Sequence, residues 1–168
     1  AVMFESRYEN GIIVHDTVNT YTNPAYTTAQ GITSILEDLQ SFAPAERYAM
    51  TIGCHGLGWI PVSRSRTLHA EKLHWDIEDV LLTRYFGGKT ADTQTDISTL
   101  AKGISDAGMK MEYILFDDCY MSSIEVAYDL KDAADYLIAS PTEIMAYGMP
   151  YGEIGEYLFG ETNYEGVC

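Results

Sequence analysis

Apolar and polar residues alternate through the opening stretch VMFESRYENGIIVHDTV, on both sides of Asn10-Gly11. A period of two is that of a half-buried strand, and Asn-Gly accepts the positive φ angles of a two-residue hairpin turn. The pattern predicts a β-hairpin over residues 2 to 18. The period then lengthens: in TTAQGITSILEDLQSFA, Ile32, Ile35, Leu36 and Leu39 fall on one helical face, with Thr27 or Thr28 as N-cap and Pro44 beyond the end. A helix over residues 28 to 42 follows. RYAMTIGCHG next reads as a short, largely buried strand, and HGLGW cannot continue it because two glycines in three residues loosen the backbone.

The same alternation returns later. DISTLAKGISDAG has the spacing of an amphipathic helix closed by glycine, MEYILF that of a buried strand, SSIEVAYDLKDA that of a helix, and YLIAS that of a last short strand. Helices that alternate with continuously apolar strands imply a mostly parallel sheet covered on both faces. The fold expected is therefore α/β, in a single domain over residues 1 to 168. Sheets of this kind gather ligands at the carboxyl ends of their strands. His55 and Cys119 both fall at such ends, so they can converge although 64 residues separate them.

Composition narrows the picture. With 46% hydrophobic and 12% aromatic residues among 168, the chain carries enough apolar surface for one packed core. A net charge of −15 argues against nucleic acid and anionic membranes as partners, and it suits either positively charged substrates or simple solubility. No apolar run reaches the ~18 residues of a membrane span, and no basic-then-apolar leader opens the chain. Cys54, Cys119 and Cys168 are odd in number and lack metal-type spacing, so neither a disulfide framework nor a zinc knuckle is indicated. Adjacent Cys54 and His55 lack a second ligand cluster, and no metal is expected.

The chemistry open to a cysteine and a histidine at neighbouring strand ends is specific. A thiol becomes a strong nucleophile as the thiolate, and an imidazole or a helix N-terminus promotes that form. The helix expected directly after Cys119 would add its N-terminus to the imidazole of His55. Acyl transfer also needs donors for the developing oxyanion, and the amide of Gly56, with that of Cys119, is the candidate pair. Placement alone leaves open a bland alternative, in which His55 is a turn histidine and Cys119 a core thiol.

GCHGLGW, LFDDCYMSSIEVAYDL and YLIASPTEIMAYGMPY together resemble the clostripain family of cysteine peptidases, from the helix at Thr28 to about Tyr151. The ordered set His-Gly, Asp-x-Cys and Ala-Ser…Gly-x-Pro-Tyr carries the likeness. The resemblance implies a caspase-like three-layer α/β/α sandwich with a mostly parallel central sheet behind the N-terminal β-hairpin. It implies Cys119 as nucleophile, His55 as general acid/base, and Gly56 with Cys119 as the oxyanion hole. It also implies cleavage after arginine or lysine, with Asp117 as the acid that meets the basic side chain. A second acid that often precedes the later glycine is replaced here by Tyr147, before Gly148, while Glu143 lies close in sequence. Asp118 is expected to cap the following helix. Trp59 is a candidate pocket wall or loop anchor.

Five of the ten Lys and Arg residues (Arg64, Arg66, Lys72, Arg84 and Lys89) lie in a predicted basic loop over residues 60 to 92. Relatives are matured by cleavage between histidine and cysteine, so these residues become candidates for self-cleavage; a solvated basic loop is the plainer reading. His15, His69 and His74 are expected at the surface. The residues imply no cofactor, and calcium enters through the resemblance alone. The partners implied are protein or peptide substrates with a basic residue at P1, and another chain of the same precursor, since family members open with an earlier strand and helix and continue well past Tyr151. An extracytoplasmic location, in the envelope or secreted, follows from bacterial relatives only. The competing functional class is an inactive caspase-fold homologue that binds a peptide or protein partner.

Overall fold

The computed structural model describes residues 1–22, 24–58, 85–88, 90–159 and 161–167. The hairpin forms as expected and runs two residues further: β1 (Val2–Glu9) pairs antiparallel with β2 (Ile12–Thr20) around Asn10 and Gly11, both at positive φ. Helix α1 (Ala29–Phe42) begins at Thr28, whose side chain accepts from the Gly31 amide, and buries Ile32 and Leu36. The side-chain oxygen satisfies one of the amides that the first turn leaves without an intrahelical partner.

Strand β3 (Tyr48–Gly53) follows, and it pairs in parallel with β7 (Met111–Asp117), which pairs in parallel with β8 (Ala134–Ile138). The order β3-β7-β8 puts the most apolar strand in the middle. On one face of β7, Ile114 and Phe116 pack with Ile32 and Leu36 of α1, Ile97, Leu100 and Ile104 of α2 (Ile97–Asp106), and Val126 and Leu130 of α3 (Ile124–Leu130). On the other face, Tyr113 and Leu115 meet Ile154 and Leu158 of α4 (Tyr151–Leu158). Helices on both faces of a parallel sheet make three layers, and a fully buried side chain of the size of Phe116 contributes about 1.5–3 kcal/mol through its burial. A four-residue helix α5 (Tyr164–Val167) sets Tyr164 edge-on to Tyr113.

The predicted loop over residues 60 to 92 is corrected at its described end. Tyr85–Gly87 is a strand, β5, that pairs antiparallel with β4 (His55–Gly56) and with β6 (Gln94–Asp96). A 3₁₀ turn at Ala91–Thr93 joins β5 to β6. Strands of two and three residues are too short to show a period. Trp59, Arg64, Arg66, Lys72, Arg84 and Lys89, with His69, His74 and Cys168, lie outside the described residues.

Candidate active site

Two parallel neighbours end side by side. Gly53 at the end of β3 is in register with Asp117 at the end of β7, so Cys54 and His55 leave one strand beside Asp118 and Cys119 leaving the other. Such adjacency at strand carboxyl ends, decided by register, brings distant residues into one site.

The loops are in direct contact. A Cβ on Gly56 would lie 2.6 Å from the Cys119 carbonyl oxygen and 2.8 Å from the Asp118 Cβ, so only glycine lets the backbone after His55 approach this closely. Leu57 donates its amide to the Tyr85 carbonyl. In an antiparallel ladder bonded and non-bonded pairs alternate, so Gly56 opposite Phe86 is a non-bonded pair and its amide is not used by the ladder.

Cys119 is half-buried, and the backbone of Ile144 brackets its sulfur: the Ile144 amide donates to Sγ at 3.4 Å, and Sγ reaches the Ile144 carbonyl oxygen at 3.7 Å. The helix expected directly after Cys119 starts later. α3 is capped by Ser123, whose Oγ accepts from the Val126 amide. Between them Tyr120 takes φ 59°, and the Tyr120 and Ser122 amides donate to the Thr142 and Ser140 carbonyls. These two loop–loop bonds hold the chain off a helical course until Ser123, so the helix N-terminus does not abut the thiol.

Asp118 is corrected too. It does not cap α3; it is 1% exposed and turns back to the β3 end, where it accepts from the Cys54 amide through Oδ1 and from the Cys54 thiol through Oδ2 at 3.4 Å. Burial holds its pKa above the ordinary carboxylate value, opposed by the two Cys54 donors. The partner responds in kind. Desolvation of the sulfur, then the Asp118 charge, push the Cys54 thiol up to about 12, although the residue as a whole is exposed.

Asp117 faces the later segment. It accepts from the Met149 amide at 3.0 Å and from the Tyr151 hydroxyl at 2.8 Å. Burial and this carboxylate push Tyr151 up to about 12, so it remains a donor through neutral pH. Gly148 has φ 75°, and a Cβ there would run into the Asp117 carboxylate. Of the other predicted pocket residues, Glu143 accepts from the Tyr120 hydroxyl at 3.1 Å and Tyr147 is exposed. A groove of about 850 Å³ beside β3 includes Tyr151 but not Cys119.

Ile144 and Tyr151 were absent from the sequence-based site. The Pro150-Tyr151 pair was visible only as part of a motif, and a backbone contact such as that of Ile144 leaves no residue-type signal. Among the described residues no three His, Cys, Asp or Glu side chains converge as a metal site. No helix among them is long and apolar enough to cross a membrane.

The clostripain family profile matches residues 9–165. Among solved structures, the chain is 65% identical to a secreted C11 cysteine protease from Bacteroides thetaiotaomicron called iotapain, with a TM-score of 0.86 over 99% of this chain and 45% of that one. A second secreted C11 cysteine protease from the same species, solved with an irreversible peptide inhibitor, is 28% identical over 95% of this chain and 40% of that one, with a TM-score of 0.70. An inactive zymogen C11 protease from Parabacteroides distasonis is 31% identical over 95% and 39%, with a TM-score of 0.68. The chain thus spans less than half the length of each of these proteins. A search of curated proteins returned no significant match. With a profile match over nearly all of its length and a caspase-like sheet whose strand ends bear the expected cysteine and histidine, the chain belongs to the clostripain family of C11 cysteine proteases.

Proposed function

We propose that this chain carries the catalytic centre of a cysteine endopeptidase that cuts after arginine or lysine. The observation that carries the reading is the contact of the His55–Gly56 backbone with the Cys119 backbone at the ends of β3 and β7. In this mechanism His55 takes the proton of Cys119, and the thiolate adds to the scissile carbonyl. The amides of Gly56 and Cys119 receive the resulting oxyanion. His55 then protonates the leaving amine as the C–N bond breaks, which leaves a thioester on Cys119; a water deprotonated by His55 hydrolyses it and restores the thiol.

Asp117 supplies the charge for the basic side chain. An ionised carboxylate has about four acceptor positions, and Met149 and Tyr151 occupy two, which leaves room for a guanidinium or ammonium group. Glu143, Tyr147 and Trp59 are assigned to the surrounding substrate surface. Self-cleavage at Arg64, Arg66, Lys72, Arg84 or Lys89 fits the same preference, and the zymogen form of the Parabacteroides relative supports maturation of this kind. The secreted relatives support an extracytoplasmic location. Protein or peptide substrates, and other parts of a longer precursor, are the partners.

Labelling with an arginine acyloxymethyl ketone, resolved by mass, tests the reading. A single adduct on Cys119, absent from Cys119→Ala and weakened in Asp117→Asn, is expected. Labelling of Cys119 by an uncharged probe alone would keep the nucleophile and reject the basic preference. No adduct from either probe would favour a peptide-binding homologue.

A further inference from the structure

Asp118 is an expensive residue with no part in the mechanism above. A carboxylate in an apolar surrounding is strongly disfavoured unless donors meet it, and this one is 1% exposed directly after Phe116 and Asp117, at the end of the most buried strand. Its position is unusual in a second way. It directly precedes Cys119, and the residue it grips, Cys54, directly precedes His55.

We propose that Asp118 is a positioning residue for the dyad: by holding both the backbone amide and the thiol of Cys54, it fixes the loop that bears His55 against the loop that bears Cys119. The inference rests on the assignment of Cys119 and His55 as the reacting pair. Three observations carry it. The grip is two-pronged, one oxygen to a backbone donor and one to a side-chain donor, so it restrains rotation of the Cys54 peptide as well as its distance. Each anchor is one residue, at ~3.8 Å between Cα atoms, from the group it positions, so little chain is left to absorb a shift. The three atoms nearest to a Cβ built on Gly56 belong to the same two residues, Cys119 and Asp118, and to Met121 beside them. Loop and loop are therefore keyed together by a carboxylate and a glycine.

The groups that face Asp118 set its behaviour. The Cys54 donors and the His55 imidazole favour its anion, and burial and Asp117 disfavour it; Tyr151 of α4 also feels its charge. Cys54 is accordingly a donor to the grip and not a second nucleophile.

A displacement of about 1 Å at reacting groups can lower a rate by roughly 100-fold. Steady-state kinetics on an arginyl peptide substrate, with the protein in its active form, measure it. Asp118→Asn keeps an acceptor for the Cys54 amide and loses the one that suits the thiol; kcat should fall roughly tenfold with KM within about twofold. Cys54→Ala, which retains the amide, should lower kcat a few-fold, and Cys54→Ser, which restores a donor, should recover it. In the double variant Asp118→Asn with Cys54→Ala the two losses should not multiply, because both remove one interaction. Unchanged kcat in folded Asp118→Asn, or losses that multiply, would overturn the proposal. The Cys119→Ala protein separates the two readings: residual turnover there would remove the dyad itself, whereas a dead Cys119→Ala with an unimpaired Asp118→Asn would remove only the positioning role.

Discussion

The carboxyl ends of β3 and β7 lie side by side and each delivers a thiol, yet the two thiols have different surroundings. Cys54 faces a buried carboxylate, which with desolvation pushes it up to about 12. Cys119 faces the amide of Ile144 and stands beside the glycine turn that follows His55. Residue type is the same and register is shared; what differs is that one sulfur meets a buried carboxylate and the other meets only backbone groups of Ile144. A thiolate beside a carboxylate is repelled, which keeps Cys54 a thiol. The same strand ends hold a similar lesson for Asp117 and Asp118, adjacent in sequence: one turns to the Met149–Tyr151 segment, and the other is enclosed and bound to Cys54.

The sharpest way to break the comparison is to exchange the thiols' fates. Cys119→Ala should abolish turnover, a loss of about a thousandfold or more, measured on an arginyl peptide, whereas Cys54→Ala should lose only a few-fold. Comparable losses would erase the distinction. Next in size is Gly148→Ala. A left-handed φ costs an L residue about 1–2 kcal/mol, and the added methyl meets the Asp117 carboxylate; KM for arginyl substrates should rise roughly tenfold or more, with less effect on uncharged probes.

Acidification separates Asp118 from the fold. A carboxyl whose pKa is raised in the folded state holds its proton more tightly there than in the unfolded chain. Its contribution therefore favours folding below the unfolded value and is lost as pH rises through the folded one. Lowering the pH through that window protonates Asp118 and weakens its grip on Cys54 without destabilising the chain through this residue. Activity should fall on the acid side before the thermal transition does, and parallel losses would contradict the assignment. Smallest is Tyr151→Phe, which removes one donor to Asp117 and should raise KM for arginyl substrates a few-fold, in line with about 1 kcal/mol for a hydrogen bond.

Much of the architecture was legible because it rests on periodicity. The hairpin turn at Asn10-Gly11, the Thr28 cap and the unbroken apolar run of β7 are each local signals, and each formed as read. The placement of His55 and Cys119 was legible because parallel strands end on the same side. What failed was tertiary. Asp118 reads as a cap from its neighbours in sequence, but its partner is Cys54, 64 residues away. α3 starts at Ile124, not beside Cys119, because Tyr120 and Ser122 bond to Thr142 and Ser140; the helical stretch SSIEVAYDLKDA does begin at Ser122, within two residues of that start. The β4-β5-β6 sheet is built from strands of two and three residues, which carry no pattern to read.

The most direct test of the central claim is a time course of alkylation by iodoacetamide near neutral pH on the folded protein, with adducts on Cys119 and Cys54 counted separately by peptide mass. The account predicts that Cys119 is modified well ahead of Cys54 and that its modification tracks the loss of activity. Equal rates, or faster modification of the exposed Cys54, would contradict it.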